Sequence, residues 1–265
     1  MKLKSIFCTL ALLSTLGALA QTKTDEFKVV GYYVPSIPPE QIPIDLLTHI
    51  NFAFAIPAKT GDTLEPLRNP DALKNLVSYV HRNKKQVFIS IGGWGIGDGG
   101  GDDTRFHKIA ERPEGRRTFV QNVMKFVSAY QVDGVDLDWE YPDEDSPSAD
   151  HYVALMSELG DALHAQGKKL TAAVISYGKK GYGMKKEALD KMDWVNLMAY
   201  DDDYGPSYIK AHSPYSLAIK SLDYWTKERG VAPHKAILGL PFYSKKGMGN
   251  YGPDYKSLLK DGASP

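Results

Sequence analysis

Short apolar runs alternate with longer amphipathic segments along most of the chain. Seven of these runs are rich in β-branched and aromatic residues, which is typical of strands buried on both faces. They are FKVVGYYV (27–34), HINFAFAI (49–56), QVFISIGG (86–93), GVDLDWEY (134–141), LTAAVIS (170–176), WVNLMAY (194–200) and AILGLPFY (236–243). The order of these runs predicts seven strands joined by crossover segments.

Helical patterns separate the predicted strands. Asn69-Pro70 combines a capping side chain with a proline in the first turn, so it predicts a helix start. Three further helical patterns cover residues 115–130, 151–166 and 215–230. Strands alternating with helices over this length favour an α/β fold with a parallel sheet, and specifically a (β/α)8 TIM barrel over a doubly wound sheet.

No eighth strand pattern follows the seventh run before Pro265. A barrel open between strands 1 and 7 would leave two unpaired edges, which is a liability for a soluble sheet. We therefore expect a barrel truncated after strand 7, and a natural chain that continues beyond Pro265.

The first twenty residues differ in kind from the rest. A basic start, an apolar run and the small-x-small triplet Ala18-Leu19-Ala20 predict a secretory signal peptide cleaved after Ala20. The alternative, a membrane anchor, is disfavoured because the apolar run is shorter than the ~20 residues that span a bilayer. We expect residues 21–265 to form one barrel domain, without a membrane anchor, in a secreted or periplasmic protein. Cys8 is the one cysteine, so the mature chain would hold no disulfide.

The charges of the chain balance. Lys and Arg together number 32, as do Asp and Glu, so the formal net charge is zero. This balance gives no electrostatic basis for nucleic acid or an anionic membrane as a partner. We expect a monomer.

The segment DGVDLDWEYP (133–142) concentrates acids within a predicted strand. Asp136, Asp138 and Glu140 are spaced by two, so on a strand they share one face and would line the inside of the barrel. Glu140 comes last, at the end where barrel enzymes keep their chemistry. Three neighbouring acids cannot all ionise cheaply, so a proton should be retained near neutral pH, as a general acid requires. Asp133 has the opposite parity, so we expect it to bind local backbone.

A solvated loop does not account for this acidic segment, because it explains neither the period of two nor the apolar residues between the acids. A magnesium site on the strand stays open as an alternative, although the spacing fails that of an EF-hand loop. The glycines of GWGIGDGG (93–100) fit a nucleotide-binding spacing, but the acids that follow would repel a phosphate and we expect the next helix only past Pro113. We therefore expect no metal and no cofactor.

The acidic segment resembles the signature of the family 18 glycoside hydrolases, the chitinase family. Further matches occur in register, in GYY (31–33), SIGGW (90–94), MAYD (198–201) and GLPFY (239–243). The resemblance extends over residues 27–244 and implies a (β/α)8 barrel. It also implies that the partner is chitin or another oligosaccharide containing N-acetylglucosamine.

The resemblance implies a role for each matching residue. Glu140 would protonate the glycosidic oxygen, and Asp138 would hold the acetamido N–H of the substrate and share a proton with Asp136. Tyr200 would hydrogen-bond the acetamido carbonyl group. The other implied site residues are Tyr32 and Ser90, which would support Asp136, and Trp94 and Asp201, which would contact the sugar. Met198, within the matching MAYD segment, is either a further sugar contact or a core residue.

This arrangement implies a retaining reaction in which the acetamido group of the substrate is the nucleophile, as in the family. Two alternatives remain within the resemblance: an endo-β-N-acetylglucosaminidase acting on N-glycans, and a non-hydrolytic lectin that binds chitin. The chain departs from the family pattern after strand 7, where Tyr243-Ser244-Lys245 stands in place of Tyr-Gly-Arg. The family's eighth strand, with its tryptophan below the cleaved sugar, has no match before Pro265.

Overall fold

A computed structural model describes residues 27–97, 101–145, 147–202, 211–246 and 250–263. Its main sheet contains seven parallel strands in sequential order. They are β1 Val30–Tyr33, β2 His49–Ala55, β3 Gln86–Gly92, β4 Gly134–Asp138, β5 Lys169–Ile175, β6 Trp194–Met198 and β7 Ala236–Leu238. Two short strands, β8 (Tyr243–Lys245) and β9 (Tyr251–Asp254), form a separate antiparallel pair.

The main sheet is curled into an open barrel. Strands β1 and β6 are five positions apart in the sheet, yet Asn196 Nδ2 on β6 lies 3.1 Å from the Tyr32 hydroxyl oxygen on β1. Only a sheet that closes around a bore brings these two side chains together. The prediction of an α/β barrel with seven strands in this order is therefore confirmed.

The helices also follow the sequence pattern, with additions. They are α1 Pro70–Arg82, α2 Thr104–Glu111, α3 Pro113–Tyr130, α4 Ser148–His164, α5 Lys186–Lys191, α6 Tyr215–Asp223 and α7 Tyr255–Lys260. The expectation that the helix after β3 starts only past Pro113 is wrong, because α2 precedes it. The apolar side chains of α2, among them Phe106 and Ile109, are fully buried, so packing stabilises this short helix.

The hydrophobic core lies between the outer face of the sheet and the helices. On β4, Val135 and Leu137 point into this core, and Trp139 follows them just after the strand ends. Their partners on the helices include Phe106, Phe119, Val123, Leu155 and Leu159. The alternation along β4 thus places the apolar residues outside and leaves the inside to the acids.

Aromatic rings fill the N-terminal end of the bore. The rings of Phe88 and Trp194 stack with centroids 5.3 Å apart, and His49 meets Trp194 edge-on at 4.8 Å. Gly134 on β4 makes room for them, since a Cβ atom there would lie 2.9 Å from the Phe88 ring. This layer forms the floor below the acids.

Residues 1–20, where the sequence predicts a signal peptide, lie outside the described residues. Over the described ranges, none of the helices combines the length and the apolar composition that crossing a bilayer requires.

Candidate active site

The three acids of DGVDLDWEYP lie at the C-terminal end of β4. Asp136 is fully buried in the bore, and Asp138 is 5% exposed. The strand ends at Asp138, three residues earlier than the sequence pattern suggested, so Glu140 lies just beyond it. Glu140 is partly exposed. The carboxyl groups therefore run from the interior of the barrel to its mouth.

Asp136 is held from both sides of the barrel. Its Oδ2 accepts hydrogen bonds from the hydroxyl groups of Tyr32 on β1 at 2.7 Å and Ser90 on β3 at 2.9 Å. Its Oδ1 accepts from Thr171 Oγ1 on β5 at 2.6 Å and from Asn196 Nδ2 on β6 at 3.0 Å. Four strands thus converge on one carboxyl group.

These contacts set the electrostatics of Asp136. Burial raises its pKa above the ordinary aspartate value, while the hydrogen bonds from Thr171, Tyr32, Ser90 and Asn196 act in the opposite direction by favouring the ionised form. All four donors are neutral, so no cation balances the carboxylate among these contacts.

Asp138 and Glu140 form the second part of the site. Burial, followed by the charges of Glu140 and Asp136, raises the pKa of Asp138 well above its usual range. Burial raises the pKa of Glu140 from the usual 4.5 to about 7, although hydrogen bonds with Tyr141 and Asp138 oppose that rise. Asp138 and Glu140 are hydrogen-bonded to each other, and burial favours the protonated form of both carboxyl groups. A carboxyl group with a pKa near 7 can both give and take a proton at neutral pH.

The end of β3 and the loop after it hold the backbone of Asp138 in place. The backbone N–H of Gly93 donates to the carbonyl oxygen of Asp138 at 2.9 Å. Gly92 has a φ of +116°, and a Cβ atom there would lie 2.1 Å from that same carbonyl oxygen. The two glycines of SIGGW therefore allow a close approach of backbones that no other residue would permit.

A polar cluster around Asp201 borders the acids. The Tyr243 hydroxyl donates to Asp201 Oδ1 at 2.9 Å, and His212 Nδ1 lies 3.1 Å from the same oxygen. Lys245 Nζ, 4% exposed, forms an ion pair with Asp201 at 3.4 Å. The lysine that departs from the family pattern thus lies beside a predicted site residue.

Of the remaining predicted residues, all but Asp133 lie on the same side of the barrel as the acids. Tyr200 comes two residues after the end of β6, and burial, followed by the charges of Asp138 and Glu140, raises its pKa above the ordinary value. Met198 is the last residue of β6 and is partly buried. Trp94 follows β3 and is 54% exposed, at the rim. Asp133 lies at the opposite end of β4, where its Oδ2 accepts a hydrogen bond from the Val87 backbone N–H at 2.9 Å.

Sequence reasoning missed several residues of the site. Thr171 and Asn196 bind Asp136 directly, and Tyr141 hydrogen-bonds Glu140. A signal for the first two was present, since each is a polar residue flanked by apolar residues within its strand. His212 carried no such signal, because it joins the site from a loop after β6.

The described residues contain no group of three or more His, Cys, Asp or Glu side chains arranged to hold a metal ion. The donors that surround Asp136 are hydroxyl and amide groups, which act as hydrogen-bond donors there.

The sequence matches known proteins over most of its length. The model for "Glycosyl hydrolases family 18" matches residues 28–259. "Probable chitinase 10" of Drosophila melanogaster is 31% identical over 256 residues, which are 83% of this chain and 11% of that protein. The class V chitinase of Arabidopsis thaliana is 29% identical over 266 residues, 91% of this chain and 67% of that protein. The chain thus spans only part of the relatives that it matches.

Solved structures share the fold. The GH18 chitinase from the chitin utilization locus of Flavobacterium johnsoniae has a TM-score of 0.74 and 30% identity, over 89% of this chain and 75% of that one. A mutant class V chitinase of Nicotiana tobaccum in complex with NAG4 has a TM-score of 0.71 and 25% identity, over 81% and 66% of the two chains. From the match of the family model over residues 28–259, the chain belongs to the glycosyl hydrolases family 18.

Proposed function

We propose that this chain is a secreted glycoside hydrolase that cleaves β-1,4-linked N-acetylglucosamine polymers, most simply chitin. The observation that carries the proposal is Glu140, a partly buried carboxyl group at the barrel mouth with a pKa raised to about 7. Chitinases among its relatives, and the NAG4 complex of one similar structure, support the choice of substrate.

The proposed first step breaks the glycosidic bond. Glu140 gives its proton to the glycosidic oxygen while the acetamido carbonyl oxygen of the same sugar attacks the anomeric carbon. The product is a positively charged oxazolinium ion. Asp138 accepts a hydrogen bond from the acetamido N–H, and Tyr200 donates one to the acetamido oxygen, so both orient the nucleophile.

In the second step, Glu140 acts as the base. Its carboxylate takes a proton from water, the water oxygen bonds to the anomeric carbon, and the oxazolinium ring opens with retention of configuration. Asp136, held by Tyr32 and Ser90, adds negative charge below the positively charged intermediate. Trp94, Met198 and Asp201 contact the sugar around the cleaved bond.

The test is Glu140→Gln, which keeps the size of the side chain and replaces the ionisable carboxyl group with an amide that cannot act as an acid or a base. Turnover of a chitin oligosaccharide should fall by about 10²–10⁴-fold, while binding of the oligosaccharide is retained. Glu114→Gln is the matched control, because Glu114 is exposed on α3 and pairs with Arg117 at 2.9 Å. Unchanged turnover in Glu140→Gln would contradict the proposal.

The same assay separates the alternatives. Unmodified protein that binds chitin oligosaccharides and releases no sugar would be a lectin. Release of N-glycans from a high-mannose glycoprotein, without cleavage of chitin oligosaccharides, would identify an endo-β-N-acetylglucosaminidase. Secretion is checked independently, since protein recovered outside the cell should begin at Gln21.

A further inference from the structure

A polar cluster lies behind the active site, on the helix side of β4. Trp139 Nε1 donates a hydrogen bond to Asp103 Oδ2 at 2.8 Å. His107 Nε2, on α2, lies 3.3 Å from the same oxygen. We call Asp103, His107 and Trp139 the tryptophan bracket. Its indole belongs to the residue between Asp138 and Glu140, the two acids that the proposed reaction uses.

The indole of Trp139 is fixed on its other sides by rings. Phe106 stacks on it with centroids 5.2 Å apart, and His107 and Tyr152 meet it edge-on at 5.0 and 5.6 Å. Trp139 is 1% exposed, and its indole N–H is its one polar side-chain group. The rings leave the indole free to rotate and to shift in depth within the core, and its hydrogen bond to Asp103 restricts both movements.

Several charged groups face His107. Asp103 directly precedes α2 and pairs with His107. Asp143 lies in the segment after β4, with its Oδ2 3.9 Å from His107 Nε2. Lys180 in turn pairs with Asp143 at 3.2 Å. The hydrogen bond with Asp103 raises the pKa of His107 against the effect of partial burial. Burial of Asp103 would raise its pKa, but the hydrogen bonds from His107 and Trp139 hold it below the usual value. The two residues therefore form an ion pair over a wider pH range than isolated side chains would.

We propose that Asp103 and His107 are positioning residues, which act through the indole N–H of Trp139 to set where the Glu140 carboxyl group stands. Trp139 is bonded directly to Glu140 through the backbone, and β4 has already ended at Asp138. The sheet hydrogen bonds of β4 therefore do not hold Glu140, whereas the anchored indole beside it does. A displacement of about 1 Å in a catalytic group is enough to slow a reaction by up to about 10²-fold.

The effect on turnover rests on the proposed function, but the positioning of the carboxyl group does not. Two measurements therefore belong together: kcat and KM on a chitin oligosaccharide, and the titration midpoint of Glu140 followed by NMR of its ¹³C-labelled carboxyl carbon. A residue with a merely structural role would lower the melting temperature and leave both unchanged in the folded protein.

The variants are Asp103→Ala, Asp103→Asn and His107→Ala. Asp103→Ala should lower kcat by about tenfold with KM within about twofold, and it should move the Glu140 midpoint down from about 7, because a loosened segment admits water. Asp103→Asn should recover most of kcat, since its amide oxygen can still accept from the indole. His107→Ala should fall between the two.

His81→Ala is the matched control. His81 Nε2 lies 2.8 Å from Asp133 Oδ2, so it forms the same kind of pair at the opposite end of β4, far from Glu140. It should leave kcat and the Glu140 midpoint unchanged. If Asp103→Ala does not fold, His107→Ala still decides the matter.

The proposal is overturned if the folded alanine variants of Asp103 and His107 match the unmodified protein in both kcat and Glu140 midpoint. An unmodified protein without turnover would contradict the proposed function instead. In that case the Glu140 titration midpoint alone decides the positioning proposal. A midpoint that shifts in the alanine variants of Asp103 and His107 but not in His81→Ala supports it, and equal midpoints in all of these proteins overturn it.

Discussion

Asn196 on β6 donates one hydrogen bond across the bore to Asp136 Oδ1 on β4, over 3.0 Å. The same amide nitrogen lies 3.1 Å from the hydroxyl oxygen of Tyr32 on β1, which itself donates to Asp136 Oδ2. Three strands therefore meet through one amide group. Since Asp136 lies directly below Asp138, the charge state of the whole site depends on these neutral donors.

Asn196→Ala should lower kcat by about tenfold. Loss of the amide donor leaves the ionised form of Asp136 less stable, so the pKa of this carboxyl group rises further above its ordinary value. A neutral Asp136 stabilises the positive intermediate less. The measurement is kcat on a chitin oligosaccharide between pH 5 and pH 8, where the acid limb should move to higher pH.

Asn122→Ala controls for the loss of an asparagine hydrogen bond. Asn122 Nδ2 donates to the backbone oxygen of Asp62 at 3.0 Å, on the outside of the barrel. The two variants lose comparable bonds, and only Asn196→Ala should change the pH profile. Equal profiles in both would show that Asn196 does not tune Asp136.

Activity should fall as the pH rises above about 7. The proposed first step needs protonated Glu140, whose pKa is raised to about 7 by burial and, in smaller part, by the charge of Asp201. Above this value kcat/KM for a chitin oligosaccharide should drop about tenfold per pH unit. Asp201→Asn removes one charge that favours the neutral acid, so the alkaline limb should move to lower pH. A limb that stays fixed would argue against Glu140 as the titrating group.

The folded protein should lose stability over the same range. The pKa of Glu140 is 4.5 when solvated and about 7 when folded, so the folded chain binds this proton more tightly. Its contribution is fully present below pH 4.5 and is lost as the pH rises through 7, with a size of about 3 kcal/mol. Glu140→Gln should therefore flatten the dependence of the unfolding free energy on pH, measured by urea denaturation at pH 4 and pH 8. A dependence as steep as in the unmodified protein would contradict the assignment.

The fold followed from the sequence because its signals are local. Strands buried on both faces must be apolar along their length, and LTAAVIS and WVNLMAY mark β5 and β6 to within two residues. The parity of Asp136 and Asp138 likewise needs only the period of a strand. Helix α2 was missed because it is eight residues long and its apolar positions become informative only once packed.

The contacts of the site were harder to predict from the sequence, because they join residues that are far apart along the chain and meet only across the folded barrel. Thr171 and Asn196 reach Asp136 from strands 35 and 60 residues away in the sequence. Asp103 meets the Trp139 indole across 36 residues, and no local pattern joins them. Such pairs are created by closure of the sheet and by the position of α2, so a single sequence could show only that each residue is polar.

Gly92→Ala should damage both stability and activity. The φ of Gly92 is +116°, and an added Cβ atom would lie 2.1 Å from the carbonyl oxygen of Asp138 and 2.9 Å from the Phe106 ring. Gly167 is the matched control, because its φ of +68° is also unfavourable for alanine while nothing lies within 4 Å of its Cβ position. Gly167→Ala should cost about 1 kcal/mol and leave kcat unchanged.

Gly92→Ala should cost about 3 kcal/mol or more, since backbone atoms must move as well. The displaced Asp138 should also lower kcat in the protein that remains folded, measured below its melting temperature. The difference between the two glycine variants isolates the contact with Asp138 from the strain that they share. Equal losses of stability with unchanged kcat would mean that the close approach of β3 to Asp138 does not hold this acid in place.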